Sequence, residues 1–393
     1  MKVFVVNPSL FSPFYDYHLC RALSGLGVKT TMVGRPLRKY ERRESEPFDF
    51  AEIFYRGTSR NQSTWRTSRF GHWRKGLEHI AGLRALEKLV ISEGIDIVHF
   101  QWLVVPFLDR MSLRRLRDHC GLVLTVHNSE ISTHSTDAVL GGLGARLQSF
   151  GQKAAVLEFD RFVAHTAKTV ERVLELGVDS SRLVRRSHPP LDLDVPSSVL
   201  QECDTYAANE QAAHNILFFG SIKPYKGVDL LVEAGIAMSE LRRDFTITIA
   251  GRPFQSMEAL QQRVRQAGVE DLFEFDLNYV SDEQLARYLA KATLVVFPYR
   301  EIDGSGALSH AVKFDKPIVA SKVGGFTEEP FKDYLEFVPP NDSSALGRSL
   351  DRLLSEPGRR AELGKKTLRL KELLPTWDDY ARACIETYSA IAK

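Results

Sequence analysis

Phe218-Phe219-Gly220-Ser221-Ile222-Lys223-Pro224-Tyr225-Lys226-Gly227-Val228-Asp229 is the stretch on which the fold turns. Its two phenylalanines close a short apolar run over 216–219, Gly220 permits a sharp turn, and Gly227 opens a segment of helical period over 228–238. Strand, glycine turn, polar loop and helix make the grammar of a βαβ unit, and the free amides at such a helix start favour an anion. Ser221, Lys223 and Lys226 stand in that loop, a candidate diphosphate clamp with lysine as the point charge. Taken alone, an ordinary strand-to-helix turn with solvated lysines accounts for these residues equally well, because glycine-rich turns are weak signals.

Working outward, the same alternation runs along the chain. Downstream apolar runs lie at 245–250, 294–297 and 318–320, with a helical pattern over 282–290. Upstream runs lie at 3–6, 30–33, 95–100, 123–126 and 162–164, with helices expected over 15–24, 77–92 and 168–176. Alternating strands and helices predict parallel sheets covered on both faces. A chain of 393 residues, 44% hydrophobic and 26% charged, is too long for one ordinary core. The expectation is an α/β chain of two doubly wound domains, 1–200 and 215–375, joined by a linker over 201–214 where periodicity is lost. Ligand crevices of such domains lie at the carboxyl ends of their strands, here facing across a cleft.

Charge sharpens the division. The chain holds 52 basic and 50 acidic side chains, which gives no reason to propose a nucleic-acid partner. Split at residue 200, however, the first part holds 28 basic and 21 acidic residues and the remainder 24 and 29. The four cysteines form no C-x-x-C pair, and the eleven histidines show no H-E-x-x-H spacing. The apolar start over 3–6 is too short for a secretory signal, and the run over 102–108 falls far below the ~20 residues that cross a bilayer. A cytoplasmic protein is expected, with attachment at the inner face of a membrane left open.

A second segment carries chemistry: Val295-Val296-Phe297-Pro298-Tyr299-Arg300-Glu301-Ile302-Asp303-Gly304-Ser305-Gly306-Ala307-Leu308-Ser309-His310. Pro298 stops the strand, and the small residues Gly304, Ser305 and Gly306 let a phosphate or sugar approach the backbone where a helix begins. Glu301 sits at the carboxyl end of the strand, where its carboxylate can accept bonds from sugar hydroxyls.

These two segments, at this separation, resemble the nucleotide-sugar half of retaining GT-B glycosyltransferases of family 4, the "group 1" type. The similarity covers most of the chain. It runs through Asp96-Ile97-Val98-His99-Phe100-Gln101, Leu124-Thr125-Val126-His127-Asn128, Phe162-Val163-Ala164-His165-Thr166 and His188-Pro189. It continues through the Lys226 loop, Tyr279-Val280-Ser281-Asp282-Glu283-Gln284-Leu285, the 301–306 turn and Lys316-Pro317-Ile318-Val319-Ala320-Ser321-Lys322-Val323-Gly324-Gly325. No piece is decisive, but seven in the right order are specific.

The resemblance implies a hexosyltransferase that moves a sugar from a UDP- or GDP-linked donor to an acceptor hydroxyl with retention and without a metal. The acceptor would be a glycan, a lipid-linked precursor or a small-molecule glycoside. Lys226 would hold the diphosphate, and the turn at Gly304, Ser305 and Gly306 would offer amides to phosphate and sugar. Glu301 matches the first glutamate of the family's E-x7-E signature and His127 the cleft histidine, the two implied catalytic residues. Arg252 and the 278–281 loop, with Tyr279 and Val280, fall where the nucleoside is held. The last helix, within 376–393, would cross back to the first domain.

Two departures stand out. Ser221 occupies the place of the arginine that accompanies the clamp lysine, so Lys223 is the candidate second charge. Ser309, followed by His310, stands where the second glutamate of E-x7-E binds ribose. They motivate the alternative: a nucleotide-sugar-binding protein without transferase activity, or a nucleotide-sugar epimerase. Asp192-Leu193-Asp194 matches the D-x-D pattern of metal-dependent transferases of another fold, but it falls away from either sheet's crevice and reads as a chance match. Finally, Arg56, Arg60, Arg66, Arg69, Arg74 and Lys75 occupy a stretch without acidic residues, interleaved with Tyr55, Trp65, Phe70 and Trp73. It is either a solvated loop or a surface that meets an anionic membrane or a diphosphate-linked acceptor.

Overall fold

The computed structural model describes residues 1–38, 41, 45–57, 69–129, 151–207 and 214–393. The chain forms two compact units, Met1–Ser187 with Thr376–Lys393, and His188–Pro375.

In the first unit, β1 (Lys2–Asn7), β2 (Lys29–Gly34), β3 (Asp49–Glu52), β4 (Ile97–Phe100), β5 (Gly121–Val126), β6 (Arg161–Ala164) and β7 (Leu183–Arg185) form one sheet. Their order is β3-β2-β1-β4-β5-β6-β7, and every pairing is parallel. Helices α1 (Pro13–Gly25), α2 (Arg69–Glu93), α3 (Pro106–Leu116) and α4 (Ala167–Glu175) belong to the same unit. β4 and β5 are buried along their whole length, as strands covered on both faces must be, which is why they read as unbroken apolar runs. α4 starts where Thr166 and Thr169 exchange capping bonds and stops before Gly177, whose φ of +90° a side chain rarely adopts.

In the second unit, β8 (His214–Phe219), β9 (Phe245–Ala250), β10 (Phe273–Asp276), β11 (Leu294–Phe297), β12 (Ile318–Ser321) and β13 (Glu336–Val338) are all parallel in the order β10-β9-β8-β11-β12-β13. Its helices are α5 (Ser197–Ala207), α6 (Val228–Ser239), α7 (Glu258–Gln266), α8 (Asp282–Lys291), α9 (Gly306–Lys313), α10 (Ser343–Ser355) and α11 (Pro357–Leu373). A single core joins Phe218, Ile249, Val296 and Val319 of the strands to Leu231, Leu289 and Leu350 of the helices.

The last helix, α12 (Trp377–Ser389), belongs to the first unit. Thr376 and Asp379 cap it reciprocally, and its buried face is fixed by polar bonds as well as packing. Tyr380 and Tyr15 share a 2.6 Å hydroxyl contact. Tyr388 lies 2.6 Å from Nδ1 of His99 on β4, whose Nε2 reaches Thr125 of β5 at 2.7 Å. Burial pushes the His99 imidazole down to about 3, so it is neutral and shares hydrogen bonds without charge.

The boundary between units falls at 187/188 and not at 200, and half of the expected linker is helix. α5 carries Val199 and Cys203 on one face, and they pack against Ala286 and Ala290 of α8. Residues 208–213 of that linker lie outside the described residues. Strands β3, β7, β10 and β13 escaped the sequence pattern because each has only three or four residues, and β3, β10 and β13 carry acidic side chains.

Candidate functional site

In each sheet the strand order reverses once, and that reversal opens a crevice beyond the carboxyl ends of the strands. In the second unit it lies between β8 and β11. The Lys226 loop follows β8 and the Glu301 loop follows β11, so the two segments singled out in the sequence flank it. Arg252 follows β9, and Tyr279 and Val280 follow β10. The four loops therefore leave four neighbouring strands, β10-β9-β8-β11, over three spacings of about 4.8 Å, or roughly 14 Å of sheet edge.

The β8 loop is built on glycines that have no substitute. Gly220 turns at φ +107°, a conformation that L side chains rarely adopt, and a Cβ there would lie 3.3 Å from Nζ of Lys226. Gly227, at φ +65°, ends the short helical turn Pro224–Lys226 and begins α6, and a Cβ on it would lie 2.0 Å from the carbonyl oxygen of Pro298. The β8 and β11 loops thus touch backbone to backbone. Arg300 braces them: it donates two bonds to Asp229, at 2.9 and 2.6 Å, and a third to the carbonyl of Pro224 at 2.9 Å. Burial opposes the charge on Asp229, but the Arg300 bonds outweigh it and hold the carboxyl below its usual range.

Lys226 is only 8% exposed, and its Nζ lies 5.2 Å from the ring centroid of the fully buried Tyr299. Burial, and then the neighbouring Lys223, push its ammonium down to about 8. An ammonium in such a place awaits an anion. Lys223 and Arg252 come together over one ring, with Nζ of Lys223 5.5 Å and Cζ of Arg252 5.9 Å from the centroid of the exposed Phe254. Ile222 and Pro253 bridge their two loops beneath. Ser221 lies half-buried beside this bridge.

Beyond β11, Glu301 is exposed, and its charge adds to burial in raising the Tyr225 hydroxyl. Ser305 is the cap of α9: its Oγ accepts from the amide of Leu308 at 3.3 Å, leaving the first-turn amides after Gly304 and Gly306 without intrahelical partners. Gly324 presses against this turn, for a Cβ there would overlap the Ile302 carbonyl. Ser309 is buried. His310, beside Ser309, and His188 of the His188-Pro189 pair lie close enough to interact; burial lowers both to about 4, and both are neutral near pH 7. Tyr279 is half exposed and Val280 partly buried, on the turn that Ser281 converts into α8 by capping with Gln284.

His127 belongs to the first unit, at the end of β5. Its Nε2 lies 3.0 Å from Oε1 of Gln101 after β4, and because that oxygen can only accept, Nε2 donates. Trp102 stacks on one face at 5.0 Å and 13°, while Tyr15 meets the ring edge-on at 4.7 Å and His165 lies at 5.3 Å. Residues from three other parts of the unit, the segment after β4, α1 and the end of β6, hold one imidazole. Asp16, in the first turn of α1, is a fully buried acid that the sequence did not reveal; burial raises it to about 8, against a 2.6 Å bond from Asn7.

Asp192 forms an ion pair with Lys313, and the amide of Asp194 donates to Asp282. Among the described residues no group of three or more His, Cys, Asp or Glu is placed to hold a metal ion. Of the basic stretch, Arg60, Arg66 and Trp65 lie outside the described residues, as do the side chains of Arg69 and Phe70. Arg56 reaches the Glu52 carbonyl, Arg74 pairs with Glu78 at 3.1 Å, and Lys75 stands 5.5 Å above the Tyr55 ring.

Residues 15–194 match the family described as Glycosyltransferase Family 4, and residues 213–356 match that described as Glycosyl transferases group 1. A D-inositol 3-phosphate glycosyltransferase of Streptomyces avermitilis is 28% identical over 252 residues, 61% of this chain and 54% of that protein. The chain spans about half to three-fifths of the length of the first such curated relatives. Among solved structures, sucrose-phosphate synthase of Thermosynechococcus elongatus superposes with a TM-score of 0.72 at 17% identity, over 99% of this chain and 98% of that one. HepE of Anabaena, solved in complex with UDP, superposes with a TM-score of 0.69 at 14% identity over 99% and 100%. These likenesses establish the two parallel sheets as the GT-B fold.

Proposed function

Because the chain belongs to the group 1, family 4 glycosyltransferases, we infer that it transfers a hexose-type sugar from a UDP- or GDP-linked donor to an acceptor hydroxyl. The observation that carries this reading is Lys226, a nearly buried ammonium held at the reversal of the second sheet with no carboxylate bonded to it among the described residues. The row of loops from Tyr279 through Arg252 and Lys223 to Lys226 and Glu301 suits a ligand whose base, diphosphate and sugar lie end to end. Anabaena HepE, solved with UDP and with UDP-glucose, supports the donor class. The relatives named for D-inositol 3-phosphate support an acceptor rich in hydroxyls.

In the reaction, the bond between the anomeric carbon and the diphosphate oxygen breaks and a bond to the acceptor oxygen forms, with retention, while the acceptor hydroxyl's proton passes to the departing diphosphate or to water. Lys226, the α9 amides and the Lys223–Arg252 pair stabilise the charge gathering on the leaving diphosphate, which removes the need for a metal. Glu301 orients the transferred sugar through its hydroxyls.

The test uses the full chain with a panel of UDP- and GDP-sugars and hydroxyl acceptors, with and without EDTA, following released nucleotide and the anomer of the product. Native protein releases nucleotide only when acceptor is present, and Glu301→Gln slows release by a factor on the order of 100 or more. If native and Glu301→Gln proteins release nucleotide equally slowly under every condition, the transferase reading fails.

A further inference from the structure

We propose that the first unit docks on an anionic lipid surface through the amino-terminal ends of α2 and α3. This goes beyond the transfer reaction and does not depend on it.

The argument starts from two pairs at helical spacing, Trp73 and Leu77 on α2 and Phe107 and Met111 on α3. Residues four apart share a helix face. All four are exposed, at 76%, 59%, 65% and 51%. They are not surplus core, because each helix packs a different face inward: Leu83, Leu86 and Val90 of α2 and Leu113 and Leu116 of α3 are buried.

The helices lie side by side and run in the same direction. His79 bonds Asp109 at 2.7 Å, and about one to two turns further along both helices Glu87 accepts from Ser112 and Arg115, at 2.7 and 2.8 Å. The two apolar pairs therefore emerge at the same end. Single exposed apolar residues are ordinary on a protein surface; four large ones gathered on adjoining helices mark an interaction site.

Charge identifies the occupant. Arg74 and Lys75 adjoin Trp73 and are exposed, and on α3 Arg110 and Arg114 share a single carboxylate, Glu158, at 3.0 and 2.9 Å. Together α2 and α3 contain eight basic and four acidic residues. Apolar side chains ringed by a cationic excess, with a tryptophan among them, suit the interface of a bilayer bearing anionic headgroups. A second copy of the chain fits poorly, since pairing the surface with itself would bring like charges together. Among the described residues no helix is long and apolar enough to cross a membrane, so contact of the described part would lie in the interface plane.

The experiment measures partition of the full chain onto vesicles of phosphatidylcholine with and without roughly a third phosphatidylglycerol, in the absence of donor and acceptor, at low and high salt. Binding is expected to be at least tenfold stronger on the anionic vesicles and to weaken several-fold as salt screens it. The double variants Trp73→Ser/Phe107→Ser and Leu77→Ser/Met111→Ser should each lower it about tenfold, with unchanged circular dichroism and unchanged UDP affinity. Arg74→Gln/Lys75→Gln should lower it several-fold and flatten the salt dependence. Equal partition onto neutral vesicles, or variants that bind as the native chain does, would overturn the proposal. So would a dimer that the same serine variants dissociate while vesicle binding stays absent. Transfer activity in solution is read separately, so either inference can fail while the other stands.

Discussion

Titration of Lys226 couples pH to both stability and donor affinity, with opposite signs in the two. Burial lowers its ammonium from the ordinary 10.5 to about 8 in the ligand-free chain. The unfolded chain keeps that proton up to about 10.5, so between pH 8 and 10.5 unfolding takes up a proton and stability rises with pH. Below pH 8 both states are protonated and the full penalty is present. At about 1.4 kcal/mol for each pH unit, the fall from 10.5 to about 8 is worth roughly 3 kcal/mol. Lys226→Met should therefore stabilise the ligand-free chain at pH 7 by up to about 3 kcal/mol, and the gain should vanish by pH 10.5.

A bound diphosphate reverses the preference. Two negative charges beside the ammonium favour its protonated form, so binding above pH 8 takes up the proton that the free site has lost. The dissociation constant for UDP should be flat from pH 7 to 8 and then rise by up to about tenfold per pH unit. Isothermal calorimetry from pH 7 to 9.5, in buffers of different ionisation enthalpy, reads both the affinity and the proton uptake. Lys226→Met should bind UDP far more weakly and show no rise. A native dissociation constant that changes less than twofold between pH 7.5 and 9.5, or a Met variant that binds like the native chain, would refute the placement of the diphosphate at Lys226.

Two further perturbations test the frame of the site. Gly227→Ala adds a Cβ at φ +65° that would sit 2.0 Å from the Pro298 carbonyl, so the β8 and β11 loops must part; a stability loss of about 1–3 kcal/mol, with weaker UDP binding, is expected in denaturant melts and calorimetry. Tyr388→Phe removes the partner of His99 Nδ1 in a fully buried place and should cost about 1–3 kcal/mol of stability while leaving UDP affinity unchanged, because both residues belong to the first unit.

What was legible in the sequence was local. The β8 and β11 loops announce themselves because an apolar run ends in Gly220 or Pro298 and a helix opens within a few residues, a pattern that needs no knowledge of the rest of the chain. Pairing is not local: nothing in the spacing says that β8 lies beside β11, yet that neighbourhood puts Lys226 and Glu301 on one edge. The same limit hid Arg300, whose partner Asp229 is 71 residues away, and α5, whose narrow apolar face of Val199 and Cys203 has meaning only against α8. His127 could be picked out as a strand-end residue, but its setting comes from three distant segments, Gln101-Trp102, Tyr15 and His165.

The departure at Ser221 shows how far three dimensions can answer what one dimension asks. In the sequence, Lys223 stood as the candidate replacement because it was two residues away. In the structure it stands over Phe254 with Arg252, from the next strand's loop, so two cations converge on one ring. An arginine can present paired donors to a phosphate and a lysine cannot. The side chain better fitted to the role of the missing arginine is therefore Arg252, brought there by the β8–β9 pairing and the Ile222–Pro253 bridge. Arg252→Lys would keep the charge and lose the fork. It should raise the dissociation constant for UDP severalfold or more, while Lys223→Arg leaves it nearly unchanged; the reverse ranking would return the role to Lys223.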